Sequence, residues 1–302
     1  MEIYNTTHLR MLWEFALDGL KLQNIPLFTP ASSGDFGVLN IKNDILEALY
    51  RVPQKEFYIL FDCGAVPEGS NQRTKAISID TFAMLNTNLT LDAQITLRGW
   101  GDAQASIPSI NNMRNQATII FNTTKRQLCG NDDYQRDLIY LEPNESMAIR
   151  KFRYFLLDVN DSTNQSNFLE VGRVLGGQSS ILIDDVTDGS NTFTDTIDFE
   201  ERSYTDKLDL NGFSSIANER ALKRSLGVEF KNMSIFSQNY LILRKYWRYC
   251  RDTKKALVIP ILDNPTGYHL FAKLDSLPKQ KIKYVEKNHV YTDFNLTWDE
   301  AK

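Results

Sequence analysis

Phe152-Arg-Tyr-Phe-Leu-Leu-Asp158, followed by Phe168-Leu-Glu-Val-Gly-Arg-Val174, is the stretch whose reading decides the fold. Both runs are short, rich in aromatic and branched apolar residues, and separated by turn-forming Asn, Asp, Ser and Thr. Runs of that length with those boundaries read as β-strands. The same pattern recurs upstream. Phe57-Tyr-Ile-Leu-Phe61 stops at Asp62-Cys-Gly64, and Ala76 to Phe82 alternates with Ile77 and Ile79 on one face. Ile95-Thr-Leu-Arg98 stops at Gly99-Trp-Gly101, and Ala117 to Phe121 and Leu138 to Leu141 complete the set. About seven short strands between turn signals predict a mainly β sandwich or jelly roll over residues 25–178.

On the N-terminal side, Leu9, Leu12, Trp13, Ala16, Leu17 and Leu20 recur at three- and four-residue steps. That spacing predicts an amphipathic helix over 7–21, within an N-terminal arm of residues 1–24. On the C-terminal side, residues 184–210 are rich in Asp, Thr and Ser, so 179–210 reads as a linker or a long hairpin. A smaller β-rich module is expected over 211–302. It contains a strand at Leu226–Phe230 and one helix, Ser237 to Arg251, with Tyr240, Leu243, Trp247 and Cys250 on one stripe. Ala256 to Leu262 reads as a strand that Pro260 demotes to an edge or a bulge. A turn at Asp263 to Gly267, a returning strand from Tyr268 and an alternating strand, Val290 to Trp298, close the chain.

The 302 residues are enough for two cores. Acidic residues number 38 against 34 basic, and the formal net charge of −4 has the wrong sign for a general nucleic-acid binder. No apolar run approaches the roughly 20 residues needed to cross a bilayer, so no membrane insertion is expected. The opening residues lack the basic and apolar regions of a secretory signal, which points to synthesis in a reducing cytoplasm. Cys63, Cys129 and Cys250 are widely separated, and His8, His269 and His289 share no ligand spacing, so no metal or other cofactor is expected. Asn-x-Ser/Thr triplets at Asn88, Asn122, Asn144 and Asn232 read as composition in a chain without a secretion signal. Gly34-Asp-Phe-Gly37 and Gly99-Trp-Gly101 lack the context of a kinase or a dinucleotide-binding loop. Asp184, Asp185, Asp188, Glu200 and Glu201 read as a solvated acidic stretch, since Val186 sits where a calcium loop needs an oxygen ligand. No enzymatic chemistry is expected.

The order of Ala31-Ser-Ser33, the strand ending in Phe61-Asp62-Cys63-Gly64, Ile95 to Arg98 and Lys151-Phe-Arg-Tyr-Phe-Leu-Leu-Asp158 resembles the discoidin-type, galactose-binding-like jelly roll. Phe152 to Asp161 followed by Asn167-Phe-Leu-Glu-Val-Gly-Arg-Val-Leu-Gly-Gly177 resembles a segment of bacteriophage tail and virion proteins. In those proteins such a jelly roll precedes a smaller β-rich module. Cys63 and the polar loop Asn122 to Gln135 depart from the jelly-roll pattern. The resemblance implies that the first and last strands of the sandwich lie side by side. It also implies a structural virion component, a tail or tail-adaptor protein, docked to other virion proteins as a symmetric homo-oligomeric ring. It further implies a sugar or lipid-headgroup site in loops, for which Arg98, Trp100, Asp102 and Asn112 supply an aromatic ring and planar polar groups suited to a host-surface glycan. The same residue types anchor protein interfaces. Tyr240, Arg244, Trp247 and Arg248 mark an assembly helix. The alternative is a carbohydrate-binding module of a non-viral protein.

Overall fold

The computed structural model describes residues 8–17, 21–22, 36–63, 76–102, 104–143, 149–183, 198–208, 216–250, 255–260, 265–275, 281–286 and 289–300. In chain order its first strands are β1 (His8–Leu12), β2 (Lys21–Leu22), β3 (Tyr50–Val52), β4 (Glu56–Asp62), β5 (Thr81–Thr87) and β6 (Gln94–Trp100). Helix α1 (Ile110–Gln116), β7 (Thr118–Thr124), helix α2 (Lys125–Cys129), β8 (Leu138–Leu141), β9 (Tyr154–Asn160) and β10 (Leu169–Gly177) follow. Then come β11 (Ser180–Ile183), β12 (Asp198–Leu208), β13 (Ile216–Ser234), helix α3 (Gln238–Cys250), β14 (Lys255–Ile259), β15 (Leu270–Leu274), β16 (Lys281–Glu286) and β17 (His289–Glu300). The chain forms two compact units. A sandwich unit contains Glu14–Ser179 and Asn264–Gly267, and a sheet–helix unit contains Met1–Trp13, Ser180–Asp263 and Tyr268–Lys302.

The sandwich unit has a five-stranded sheet in the order β2-β4-β9-β6-β7 and a four-stranded sheet in the order β3-β10-β5-β8, all pairings being antiparallel. The first long strand, β4, pairs with the late strand β9, and β3 pairs with β10. Alternation in β4 and β9 sends Phe57, Ile59, Phe61, Phe155, Leu157 and Val159 into one core with Phe82, Met84, Val171 and Val174 of the other sheet. Aromatic pairs join the two sheets. Tyr50 meets Phe57 edge-on at 5.8 Å, and Phe121 stacks on Tyr140 at 4.1 Å. The close approach at Gly172 is a steric requirement, because a Cβ there would lie 2.6 Å from the Leu46 carbonyl oxygen.

In the sheet–helix unit one antiparallel sheet runs β11-β1-β14-β15-β17-β13-β12, with β16 paired to β17, and α3 packs on it. The expected N-terminal helix is a strand instead. Residues 8–12 pair with β11 on one side and β14 on the other, and Leu9, Met11 and Trp13 enter the core. Cross-strand pairing on both sides outweighs the helical spacing of a short apolar segment. Asp198 to Leu208, expected within a linker or hairpin, is an arm of a long hairpin with β13, while 184–197 lies outside the described residues. Pro260 does not demote its strand. β14 ends at Ile259, one residue before it, and is paired on both sides. The strand expected at 76–82 begins instead at Thr81, with Ile77 forming only an isolated bridge to Phe152.

Candidate functional site

Helix α3 matches the expected span to within a residue or two. The Ser237 hydroxyl accepts a hydrogen bond from the Tyr240 N–H at 3.2 Å, tying down the first turn. Asn239, Tyr240, Leu243, Tyr246, Trp247 and Cys250 recur at helical steps and are all buried. The helix rotation is fixed by the Trp298 indole, whose Nε1 donates to Tyr246 Oη at 2.8 Å, and by Trp13 against the Tyr246 ring at 5.4 Å. Burial, and secondarily the neighbouring Cys250, push the Tyr246 phenol up, so the hydroxyl stays neutral in the fold.

The opposite face of α3 carries Leu241, 49% exposed, and Tyr249, 37% exposed, with Phe236 at 69% just before the helix. Between them stand the exposed Arg244, Lys245 and Arg248. The helix contains no acidic residue. Among the described residues, Arg244 and Arg248 make no ion pair. At 1.5 Å per residue the face is about 20 Å long. Of the four residues expected on an assembly helix, Arg244 and Arg248 stand on this face, whereas Tyr240 and Trp247 pack edge-on to each other at 6.1 Å inside the core. Leu241 and Tyr249, which the sequence reading passed over, lie eight positions apart on the exposed side of the same wheel.

Arg98, Trp100, Asp102 and Asn112 are not the loop cluster expected of them. Arg98 and Trp100 lie on strand β6, Asn112 is exposed on α1, and Asp102 is in the turn between. Arg98 Nη1 and Arg114 Nε both donate to Asp158 Oδ2, at 3.2 and 2.9 Å, and this triad ties α1 to the sheet. Arg114 also stands 5.7 Å over the Tyr58 ring. Trp100 packs half-buried against Leu60, Ile110, Met113, Tyr154 and Leu156. The Asp102 carboxylate accepts from the Gln104 N–H at 2.9 Å, within its own turn. Gly99 is required there because a Cβ would enter the Phe152 ring at 2.3 Å. Of the loop expected from Asn122 to Gln135, the part up to Cys129 is the end of β7 followed by α2, started by a reciprocal cap in which Thr124 bonds the Gln127 N–H and Gln127 bonds the Thr124 N–H, and residues 130–135 are turns.

Among the described residues no group of three or more His, Cys, Asp or Glu is placed to hold a metal ion. Asp184, Asp185 and Asp188 lie outside the described residues, as do the side chains of Glu200 and Glu201. The three cysteines are unpaired as disulfides, and burial pushes the Cys63 thiol up, with the Asp62 charge adding to it. No described helix is long and apolar enough to cross a membrane. Compared with protein-family models and with curated proteins, the chain matches none.

Proposed function

We propose that this chain is a structural docking protein of a bacteriophage tail or its adaptor region, working by burial of preformed surfaces against neighbouring virion proteins. The observation that carries the docking reading is the outward face of α3, where three cations alternate with exposed Leu241 and Tyr249 on a helix whose inner face is locked in a core. Arg and Tyr beside aliphatic surface are the residue types enriched at protein interfaces. A rigid helix offering them loses little conformational entropy on docking. The virion setting rests on the sequence resemblance of residues 152–177 and of the element order that follows. A specific contact of this kind buries on the order of 1,000 Å² or more in total, so the α3 face is the centre of a larger patch. Glycan contact through Arg98, Trp100, Asp102 and Asn112 is not part of the proposal, because Arg98 is tied to Asp158 and Trp100 packs half-buried beside α1.

Cross-linking mass spectrometry on the native particle tests this reading. Lys245 is expected to link to one neighbouring polypeptide at a defined set of positions. Particles that assemble intact without the chain, or a chain whose Lys245 forms no link to any neighbour, would contradict it.

A further inference from the structure

The turn that follows α2 in the sandwich unit is opposite in sign to the α3 face. Asn131, Asp132, Asp133 and Tyr134 are all exposed, and Tyr134, at 94%, is the most exposed large hydrophobic residue described. The turn is held in place. The Asp132 carboxylate accepts the Tyr134 N–H at 3.0 Å. The Asp133 carbonyl accepts from the buried Lys125 ammonium at 3.1 Å, whose other bond goes to the Leu89 carbonyl at 2.7 Å. Nearby Arg126 pairs with Asp92 and bonds Asn131, and Arg136 bonds the Asn86 amide oxygen. Among the described residues, no cation pairs with Asp132 or Asp133. A tyrosine ring standing clear of a preformed turn, beside two uncompensated carboxylates, has the chemistry of an interface anchor.

We infer that the occupant of the α3 face is a second copy of this chain, which seats its Asp132-Asp133-Tyr134 turn among Leu241, Arg244, Arg248 and Tyr249. The inference rests on the docking reading above and names its partner. Arg244 and Arg248 are four residues apart and so neighbours on one side of the helix, with Cβ atoms about 6 Å apart. Carboxylates on two successive residues, whose Cα atoms lie about 3.8 Å apart, can span that spacing. Leu241 and Tyr249 give the Tyr134 ring apolar surface, and the charges set orientation and partner choice. The helix face and the turn are different surfaces of one molecule, so each copy offers one and receives the other. Such a heterologous contact propagates, and where its rotation closes it forms a ring.

The test uses the full chain in three forms. One carries Arg244→Glu with Arg248→Glu, one carries Asp132→Asn with Asp133→Lys, and one carries Tyr134→Ala. Asparagine keeps the oxygen that accepts the Tyr134 N–H, all five positions are exposed, and circular dichroism checks folding. Self-association is read by sedimentation velocity. Wild type is expected to form a discrete oligomer. Raising the salt from about 0.1 M to about 1 M, which shortens screening from about 10 Å to about 3 Å, weakens that oligomer. Each form alone loses at least about tenfold in self-association. Mixing the two charge-changed forms restores association in alternating order, because the new lysine of one meets the new glutamates of the other and the second contact of each pair is wild type. A wild type that stays monomeric, an oligomer that any one of the three forms leaves unchanged, or a mixture that sediments as its separate parts would overturn the inference. If the wild type is monomeric while Lys245 still links to a different protein in the particle, the second-copy assignment fails and the docking reading stands.

Discussion

Replacing Tyr246 by Phe removes one oxygen from the junction that fixes the rotation of α3. Its hydroxyl accepts the Trp298 indole N–H at 2.8 Å, and Trp298 has no exposed surface. Without that acceptor a fully buried donor is left unsatisfied, which costs about 1–3 kcal/mol. Relief from burying a hydroxyl offsets part of this, so a net loss of about 1–2 kcal/mol is expected at neutral pH. The pH dependence adds a second signature. An ordinary tyrosine ionises at 10.0, and burial, the largest cause, raises Tyr246 above that in the fold. The unfolded chain therefore releases this proton first. The contribution of the neutral phenol is complete below pH 10 and is lost as pH rises beyond it, by up to about 1.4 kcal/mol per pH unit. Phenylalanine abolishes that alkaline component. Tyr140 and Tyr154 in the sandwich unit are raised in the same direction, also chiefly by burial, and keep their own alkaline losses. Denaturant unfolding followed by tryptophan fluorescence separates the two, because Trp13, Trp247 and Trp298 belong to the sheet–helix unit and only Trp100 to the sandwich. A neutral-pH change within about 0.5 kcal/mol, the range of an exposed substitution, together with an unaltered alkaline profile, would refute the reasoning.

Gly172→Ala forces a Cβ to 2.6 Å from the Leu46 carbonyl and 3.1 Å from the Leu85 carbonyl, both backbone atoms, and is expected to destabilise the sandwich by about 1–3 kcal/mol in thermal melts. Arg153→Met strips the nearly fully buried Asp62 of a two-point partner at 3.1 and 3.4 Å; a loss on the order of 3 kcal/mol in denaturant titration is expected, and Asp62→Asn in the same background should recover part of it. Arg114→Gln, at a side chain 39% exposed, should cost less than about 1 kcal/mol because Asp158 keeps Arg98, while Arg98→Met should cost more; equal effects would remove the argument that Arg98 is the principal partner. Cys63 should react with iodoacetamide at pH 8 far more slowly in the folded chain than in denaturant, since its thiol is held neutral by burial.

Strand content was legible wherever one face of a segment is buried and the other is wet. The alternation in Val290 to Trp298 is realised as buried Leu296 and Trp298 beside exposed Asn295 and Thr297. Helix α3 was legible for the same reason at the helical period. Legibility failed where burial is two-sided. Six of the seven residues of β5 are buried, so Thr81–Thr87 shows no alternation and its start was misplaced. It failed again at β1, where Leu9, Leu12 and Trp13 satisfy a helical wheel and only pairing with β11 and β14 reveals a strand. A signal for α2 was present and unused: Thr124 and Gln127 are three apart, the spacing of a reciprocal cap. The candidate face was half legible. Arg244 and Arg248 were found from charge. Tyr240 and Trp247 share one stripe with Leu243 and Cys250, which the fold buries, so of the four assembly-helix residues only the two arginines are on the surface, beside Leu241 and Tyr249. Arg98 and Trp100 look like ligand contacts in a linear sequence because the partners that occupy them, Asp158 and the α1 helix, come from elsewhere in the chain.

The most direct measurement is a cryo-electron-microscopy map of the native assembly at side-chain resolution. The account predicts Leu241, Arg244, Arg248 and Tyr249 of each copy buried against a neighbouring polypeptide. A map in which that helix face looks into solvent in every copy, while some other surface makes the contacts, would contradict it.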